Sequence, residues 1–286
     1  MAMKFTVVTV CFNAGDKLRE TVINILAQKD ADFELLVKDG ASKDDSLLSC
    51  KEYLVSEGYR LSGSDGLQEI YVKEGGFPDV RIYSVPDSGI YDAMNYAVKM
   101  AKGDYISFMN CGDSFYSPDV LCKTKEVMES TGNKKIYYGD AYFRRAGNIM
   151  HLPEKITPSQ CYRHIPCHQA CFFKRELWRN KQLNPKYKIR ADYDFFLYNY
   201  FVGKARPVCL NMVVADYEGG GYSESKENRR RDREEHRSIT EKYMSKKQIR
   251  KEKLFGVLTL QPLRRWIASD SPFSGAYDRL RKKMYR

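Results

Sequence analysis

Four acidic clusters stand out in this 286-residue chain, and their places matter more than their number. Asp39-Gly40-Ala41-Ser42-Lys43-Asp44-Asp45-Ser46 follows an apolar run, and Asn110-Cys111-Gly112-Asp113 ends another. Pro86-Asp87-Ser88-Gly89-Ile90-Tyr91-Asp92-Ala93-Met94-Asn95 opens a helical pattern, and Ala191-Asp192-Tyr193-Asp194 comes much later. Carboxylates so placed suit three tasks: holding a divalent cation, binding a ribose and removing a proton. Taken singly, each cluster is also a plain turn or a helix cap. Taken together, sites at three successive strand ends point to the ligand crevice of an open α/β sheet.

The elements that must position these residues follow from periodicity. Phe5 to Phe12 is a continuous β-rich run, as for a strand buried on both faces of a parallel sheet. Lys17 to Gln28 has helical spacing, Phe33 to Lys38 is a second strand, and Asp44 begins a helix through Leu54. This βαβα opening predicts parallel strands joined by right-handed crossovers. Residues 58–79 are Gly-rich and read as an insertion, a small hairpin beside the sheet. Val80 to Ser84 and Tyr105 to Met109 resume the sheet around a helix from Met94 to Ala101.

The second half changes character. Ile136 to Phe143 alternates toward a turn at Ala146-Gly147-Asn148, which predicts antiparallel pairing. Cys171-Phe172-Phe173 and Val208 to Val214 are strands, and a helix with an acidic first turn starts at Asp192. From Ser225 to Lys253 charge dominates, and the stretch reads as one or two helices washed by solvent.

Hydrophobic residues make up 43% of the chain, enough for a substantial core, and the net charge is +11. That surplus suits a polyanionic partner, but it is uneven and weighs on the C-terminal end. No apolar run approaches the ~20 residues of a membrane span. Met1 leads straight into a strand without an export signal, so a cytoplasmic protein with eight reduced Cys is expected. Cys161, His164, Cys167, His168 and Cys171 match no common zinc spacing, and Phe172-Phe173 continues Cys171 as a buried strand would.

Several strings resemble family 2 glycosyltransferases. They are Val7-Val8-Thr9-Val10-Cys11-Phe12-Asn13, Asp39-Gly40-x-Ser42-x-Asp44 and Asp87-x-Gly89-Ile90-Tyr91-Asp92-Ala93-Met94-Asn95. The likeness continues through Gly103-Asp104-Tyr105-Ile106-x-Phe108-Met109-Asn110-x-Gly112-Asp113, His168-Gln169-Ala170 and Ala191-Asp192-Tyr193. It covers residues 4–223 and is most similar to the colanic acid type of bacterial surface-polysaccharide clusters.

The resemblance implies a GT-A fold, an α/β architecture with a mostly parallel central sheet flanked by helices, and the charged tail adds a helical C-terminal extension. The resemblance implies a nucleotide-sugar-binding half over 4–113 and an acceptor half over 114–223, and the charge-rich residues beyond it read as a basic extension over 224–286. It also implies inverting transfer, with a nucleoside-diphosphate sugar as donor and a glycan or lipid-linked glycan as acceptor. Carried over by position, Thr9, Asn13, Asp39, Asp87, Gly89, Asp92 and Asn110 would line the donor site, with Asp39 bonding the base. Asn110 and Gly112 replace two acids of the family's metal motif, leaving Asp113 to hold Mg²⁺ or Mn²⁺ with water and diphosphate oxygens. Asp192 matches the catalytic base, and His168 and Gln169 would shape the sugar pocket. Asp194, two residues on, points away and reads as a helix-start carboxylate. Gly219-Gly220-Gly221-Tyr222-Ser223 resembles the family's closing loop.

In the tail, Leu254-Phe255-Gly256-Val257-Leu258 followed by Arg264-Arg265-Trp266-Ile267 pairs apolar with basic groups, as interfacial helices do. This predicts peripheral contact with the inner face of the cytoplasmic membrane. Two rival classes fit less well. A nucleotide-sugar-modifying enzyme such as a nucleotidyltransferase wants a Gly-rich basic phosphate loop after the first strand, and Phe12-Asn13-Ala14-Gly15-Asp16 is neither. A nucleic-acid-binding module wants basic residues interleaved with aromatics, whereas the densest basic run is a mixed-charge tail, so no nucleic-acid partner is expected.

Overall fold

The computed structural model describes residues 5–219 and 228–258. β1 (Phe5–Cys11), α1 (Asp16–Leu26), β2 (Phe33–Asp39) and α2 (Ser46–Ser56) form the βαβα opening. β1 and β2 are buried at every position because helices cover both faces of the sheet. They run parallel in a register that sets Cys11 beside Asp39, which brings both to one edge of the sheet. β5 (Val80–Ser84) pairs parallel with β2, and β6 (Tyr105–Phe108) pairs parallel with β1, with α3 (Ile90–Met100) between them in sequence.

The insertion does not lie beside the sheet but lengthens it. β3 (Arg60–Ser64) and β4 (Gln68–Val72) form an antiparallel hairpin whose second strand pairs with β5. Beyond β6 the sheet turns mixed. It continues through β10 (Cys171–Lys174), β8 (Ile136–Phe143), β11 (Val208–Tyr217) and β7 (Ser114–Phe115), and β9 (Asn148–Met150) forms the expected hairpin on β8.

Alternation along β1 divides the core in two. Phe5, Val7 and Cys11 face α1, α2 and α4 (Val120–Thr131). Val8 and Val10 face α3 and α6 (Ala191–Phe201). α3 places Met94, Ala97 and Val98 on its inner side, the spacing of one helical face. α6 is apolar nearly all round, and its buried residues include Phe195, Phe196, Leu197 and Tyr200.

The charged stretch forms two helices, α7 (Arg229–Tyr243) and α8 (Lys246–Leu258), which follow α5 (Pro158–Arg163) and α6 in the chain. They are not simply washed by solvent. α7 lies on α6 and buries Glu235, Ile239 and Thr240, and Ile239 belongs to the second core. α8 lies on α5, where Glu252 bonds Arg163 at 3.0 Å. The docking face is a narrow stripe whose charges are paired, so composition alone reads as a solvated helix. Gly220 to Ser223 of the glycine loop, and Arg264 to Ile267, lie outside the described residues.

Candidate active site

The strand ends, the start of α3 and the start of α6 surround a cavity of about 840 Å³. It brings together Gly89, Asp92, Asn110, Asp113, His168, Gln169 and Asp192 from the residues the sequence singled out, but not Thr9, Asn13, Asp39 or Asp87.

A chain of polar contacts crosses one wall. The Asn110 side-chain amide lies 3.1 Å from His168 Nε2, and His168 Nδ1 lies 3.0 Å from Asp192 Oδ2. If the Asn110 amide donates to Nε2, the proton sits on Nδ1 and points at Asp192. Tyr193 N–H donates to the other Asp192 oxygen at 2.8 Å. Burial works against charge on Asp192, but the His168 hydrogen bond, the Tyr193 N–H and nearby Arg190 outweigh it. Its carboxyl therefore lies below the ordinary range and is ionised at neutral pH.

Asp113 is nearly sealed. Gln169 Nε2 donates to one oxygen at 2.8 Å, and Glu218 N–H donates to the other at 2.9 Å. Cys167 Sγ donates to Gln169 Oε1, which fixes how that amide is turned. Burial pushes the Asp113 carboxyl above its usual range, and the two donors offset this only in part. Gly112 has φ of +94°, and a Cβ there would lie 2.2 Å from Glu218 Oε2. The positive φ favours glycine, and a Cβ would also push aside the Glu218 carboxylate, which Lys17 holds through both oxygens at 2.7 and 2.8 Å.

Whether a divalent cation fits can be judged from the oxygens present. Asn110 Oδ1 is buried with no hydrogen-bond partner among the described residues, and Asp113 is a buried carboxylate without a paired cation. Hard oxygen donors of this kind suit Mg²⁺ or Mn²⁺. Among the described residues no group of three or more His, Cys, Asp or Glu is arranged to hold a metal by itself. Water and ligand oxygens would have to complete the shell, as is usual for Mg²⁺.

Of the residues expected to line the donor site, Thr9, Asn13, Asp39 and Asp87 lie away from the cavity, while Asp92 and Gly89 build the first turn of α3 at its wall. Thr9 has no exposed surface and alternates onto the α1 face of β1, so its side chain does not reach the cavity. Asp39 is also fully buried. Its carboxylate accepts from Ser42 N–H and Oγ and from Ser84 Oγ, the residue across from it on β5. These donors outweigh burial and hold its carboxyl below the usual range, so Asp39 shapes the loop at residues 40–44 from beneath. Asn13 ties into the same loop, its N–H donating to Ser42 Oγ and its side-chain oxygen accepting from Lys43 N–H. Asp87 is held by Lys38 Nζ at 2.7 Å. Asp92 accepts from Ser88 N–H and Oγ, which closes the first turn of α3. Gly89 caps that turn with φ of +128°, and the space where its side chain would stand is open.

Three features escaped the sequence reading. Lys38 is fully buried and also donates to the Asp39 and Val85 carbonyls, so it fixes the loop that carries Asp87. Phe12 ends the buried β1 run with 64% exposure and lies against Gly40, which leaves an aromatic face beside Asp87. Asp194 is more than a helix-start carboxylate. It points away from Asp192 as expected, but it is fully buried, ion-paired with Lys181 and Lys242, and accepts from Tyr243 Oη at 2.8 Å.

Residues 6–190 match the family model described as Glycosyl transferase family 2. The chain is 28% identical over 228 residues to a PGL/p-HBAD biosynthesis glycosyltransferase of Mycobacterium bovis, covering 78% of this chain and 80% of that protein. Among solved structures, S. aureus TarS 1–349 in complex with UDP superposes with a TM-score of 0.58 at 15% identity, over 76% of this chain and 61% of that one. Mannosyltransferase PcManGT from Pyrobaculum calidifontis, in complex with GDP-Man and Mn²⁺, gives 0.58 at 16% identity over 81% and 61%. The chain thus spans about three fifths of the length of these two structures, and at such identity the likeness establishes the GT-A-like α/β fold alone.

Proposed function

We infer, for a chain that belongs to glycosyl transferase family 2 and is a glycosyltransferase, that the reaction is an inverting transfer. A sugar would pass from a nucleoside-diphosphate donor to a hydroxyl of a glycan or lipid-linked glycan, in the synthesis of a bacterial surface polysaccharide.

The observation that carries this reading is the sorting of carboxylates around the cavity. Asp92 closes a helix turn, while Lys17 and Arg190 neutralise Glu218 and Asp232. Asp113 is nearly sealed. Asp192 remains, with its side chain 27% exposed, ionised, and backed by a histidine. A single base suits single displacement: Asp192 takes the acceptor hydroxyl proton as that oxygen bonds the anomeric carbon. The bond from that carbon to the diphosphate breaks, and the configuration inverts. His168 holds the Asp192 carboxylate in place, and Gln169 orients Asp113.

Asn110 and Asp113 are the residues that would hold Mg²⁺ or Mn²⁺, and such an ion, when bound, offsets charge on the diphosphate leaving group. The exposed ring of Phe12, the loop held by Asn13 and Asp39, and the open backbone at Gly89 provide a surface for a nucleoside. UDP and GDP-Man in the structures of relatives support this class of donor. Leu254, Val257 and Leu258 stand exposed on α8 among Lys and Arg, which supports a peripheral contact with an anionic membrane bearing the acceptor. No helix among the described residues is long and apolar enough to cross a membrane.

Thermal-shift measurements with UDP, GDP, dTDP and their sugar conjugates, with and without Mn²⁺, test the reading. At least one nucleotide should raise the melting temperature, and more so with Mn²⁺. No shift with any of them would overturn it.

A further inference from the structure

The turn that delivers Asp192 is held by a helix from the charged tail. Lys188, Ile189 and Arg190 present three successive backbone N–H groups just before α6. The Glu235 carboxylate of α7 accepts all three, at 2.9, 3.0 and 2.9 Å, and is 8% exposed. Such a run of N–H groups is a concavity suited to an anion, and here the chain fills it with its own carboxylate. One turn earlier on α7, Asp232 grips the Arg190 guanidinium through both oxygens, at 2.7 and 2.9 Å. The planar fork of arginine against a carboxylate fixes orientation as well as distance. From the other side, the buried Tyr91 hydroxyl of α3 donates to the Ile189 carbonyl at 2.5 Å.

The segment 188–190 is therefore clamped between the helix that follows Asp87 and Gly89 and the helix of the tail. Its last residue stands two positions before Asp192. We propose that α7 is a working part of the transferase site, with Glu235 and Asp232 acting as positioning residues that aim Asp192 at the acceptor. The proposal rests on the reading of Asp192 as the base. It also changes the role of the tail, whose first helix serves the chemistry whatever the remainder does at a membrane.

Glu235→Gln keeps the shape but turns an amide N–H₂ toward backbone donors, so the three-fold acceptance cannot persist. The probes are hydrolysis of UDP-GlcNAc and of GDP-mannose, calorimetry with UDP and GDP, and hydrogen exchange over residues 186–194. Turnover should fall roughly 10–100-fold, as for a misplaced catalytic group. Nucleotide affinity should stay within about twofold, because the donor side is untouched. Exchange should quicken at residues 188–190. Glu235→Asp, which restores the charge on a shorter stem, should recover part of the rate, and it decides the matter if Glu235→Gln does not fold. Glu234→Gln, on the exposed side of α7 facing Arg230, serves as the control. Turnover and exchange like the wild type in Glu235→Gln would overturn the proposal, as would equal losses of turnover and nucleotide affinity. If hydrolysis is too slow to follow, unchanged exchange at 188–190 overturns it alone. Should Asp192→Asn keep full turnover, the reading of Asp192 has failed, whereas an inactive Asp192→Asn beside a normal Glu235→Gln leaves that reading standing and removes only this proposal.

Discussion

Asp194→Asn replaces a carboxylate that has no exposed surface and that faces Lys181, Lys242 and the Tyr243 hydroxyl. The amide is the same size, and Tyr243 can still donate to its oxygen. What disappears is the charge, which leaves an ammonium group with 16% side-chain exposure at Lys181 without its counter-ion. Removing one partner of a buried ion pair costs ~3–5 kcal/mol. Lys242 is 47% exposed and can turn to water, so a cost near the lower limit, about 3 kcal/mol, is expected. For a chain of this size that corresponds to a fall in melting temperature of roughly 6–12 °C. Circular dichroism melts and urea titrations read the effect, and calorimetry with UDP or GDP below the transition should give unchanged affinity. A variant melting within ~2 °C of the wild type would show that the pair contributes no stability in water.

Further outcomes concern the cation, the glycine and the tail. The Asp113 carboxyl is raised by burial, so the folded chain holds that proton more tightly than the unfolded one. Its contribution to stability is thus greatest at low pH and is lost as pH rises through the folded pKa. A cation competes with the same proton, so the melting shift due to Mn²⁺ with nucleotide should shrink from pH 8 to pH 5 and vanish in Asp113→Asn; an equal shift in the variant would refute the assignment. Gly112→Ala should lower nucleotide affinity with little loss of secondary structure, because its Cβ displaces Glu218, and normal calorimetry would contradict this. Replacing Leu254, Val257 and Leu258 by Ser should reduce sedimentation with anionic liposomes, and equal sedimentation at low salt would remove the membrane contact.

The parallel centre of the fold was legible because a strand buried on both faces leaves a β-rich run, Phe5 to Cys11 in β1, and a shorter apolar run, Leu35 to Val37, in β2. The gathering of Asn110, Asp113, His168, Gln169 and Asp192 in one cavity was legible too, through ordered motifs at strand ends. The partners of those residues were not. Asp39 is spent on Ser42 and Ser84 because the β2–β5 register sets Ser84 beside it, a relation across 45 residues that no local pattern displays. Lys38 sits among apolar strand residues, yet two of its three partners, Val85 and Asp87, lie on the loop after β5. Glu235 and Asp232 look like any acids on a charged helix, since a paired and buried charge has the same letter as a solvated one. Phe12 differs from its β1 neighbours only in where the sheet ends.

The central claim is that Asp192 removes the acceptor proton. Its most direct test is to measure, side by side, sugar transfer and nucleotide affinity for Asp192→Asn, with donor hydrolysis standing in for transfer. The amide can still bond a hydroxyl and His168, but it cannot take a proton at neutral pH. Turnover should fall by ~10²–10⁴-fold, the usual contribution of a placed base. Affinity for UDP or GDP with Mn²⁺ should remain within about twofold. Turnover near that of the wild type would contradict the account, and so would a loss of nucleotide affinity that matches the loss of rate.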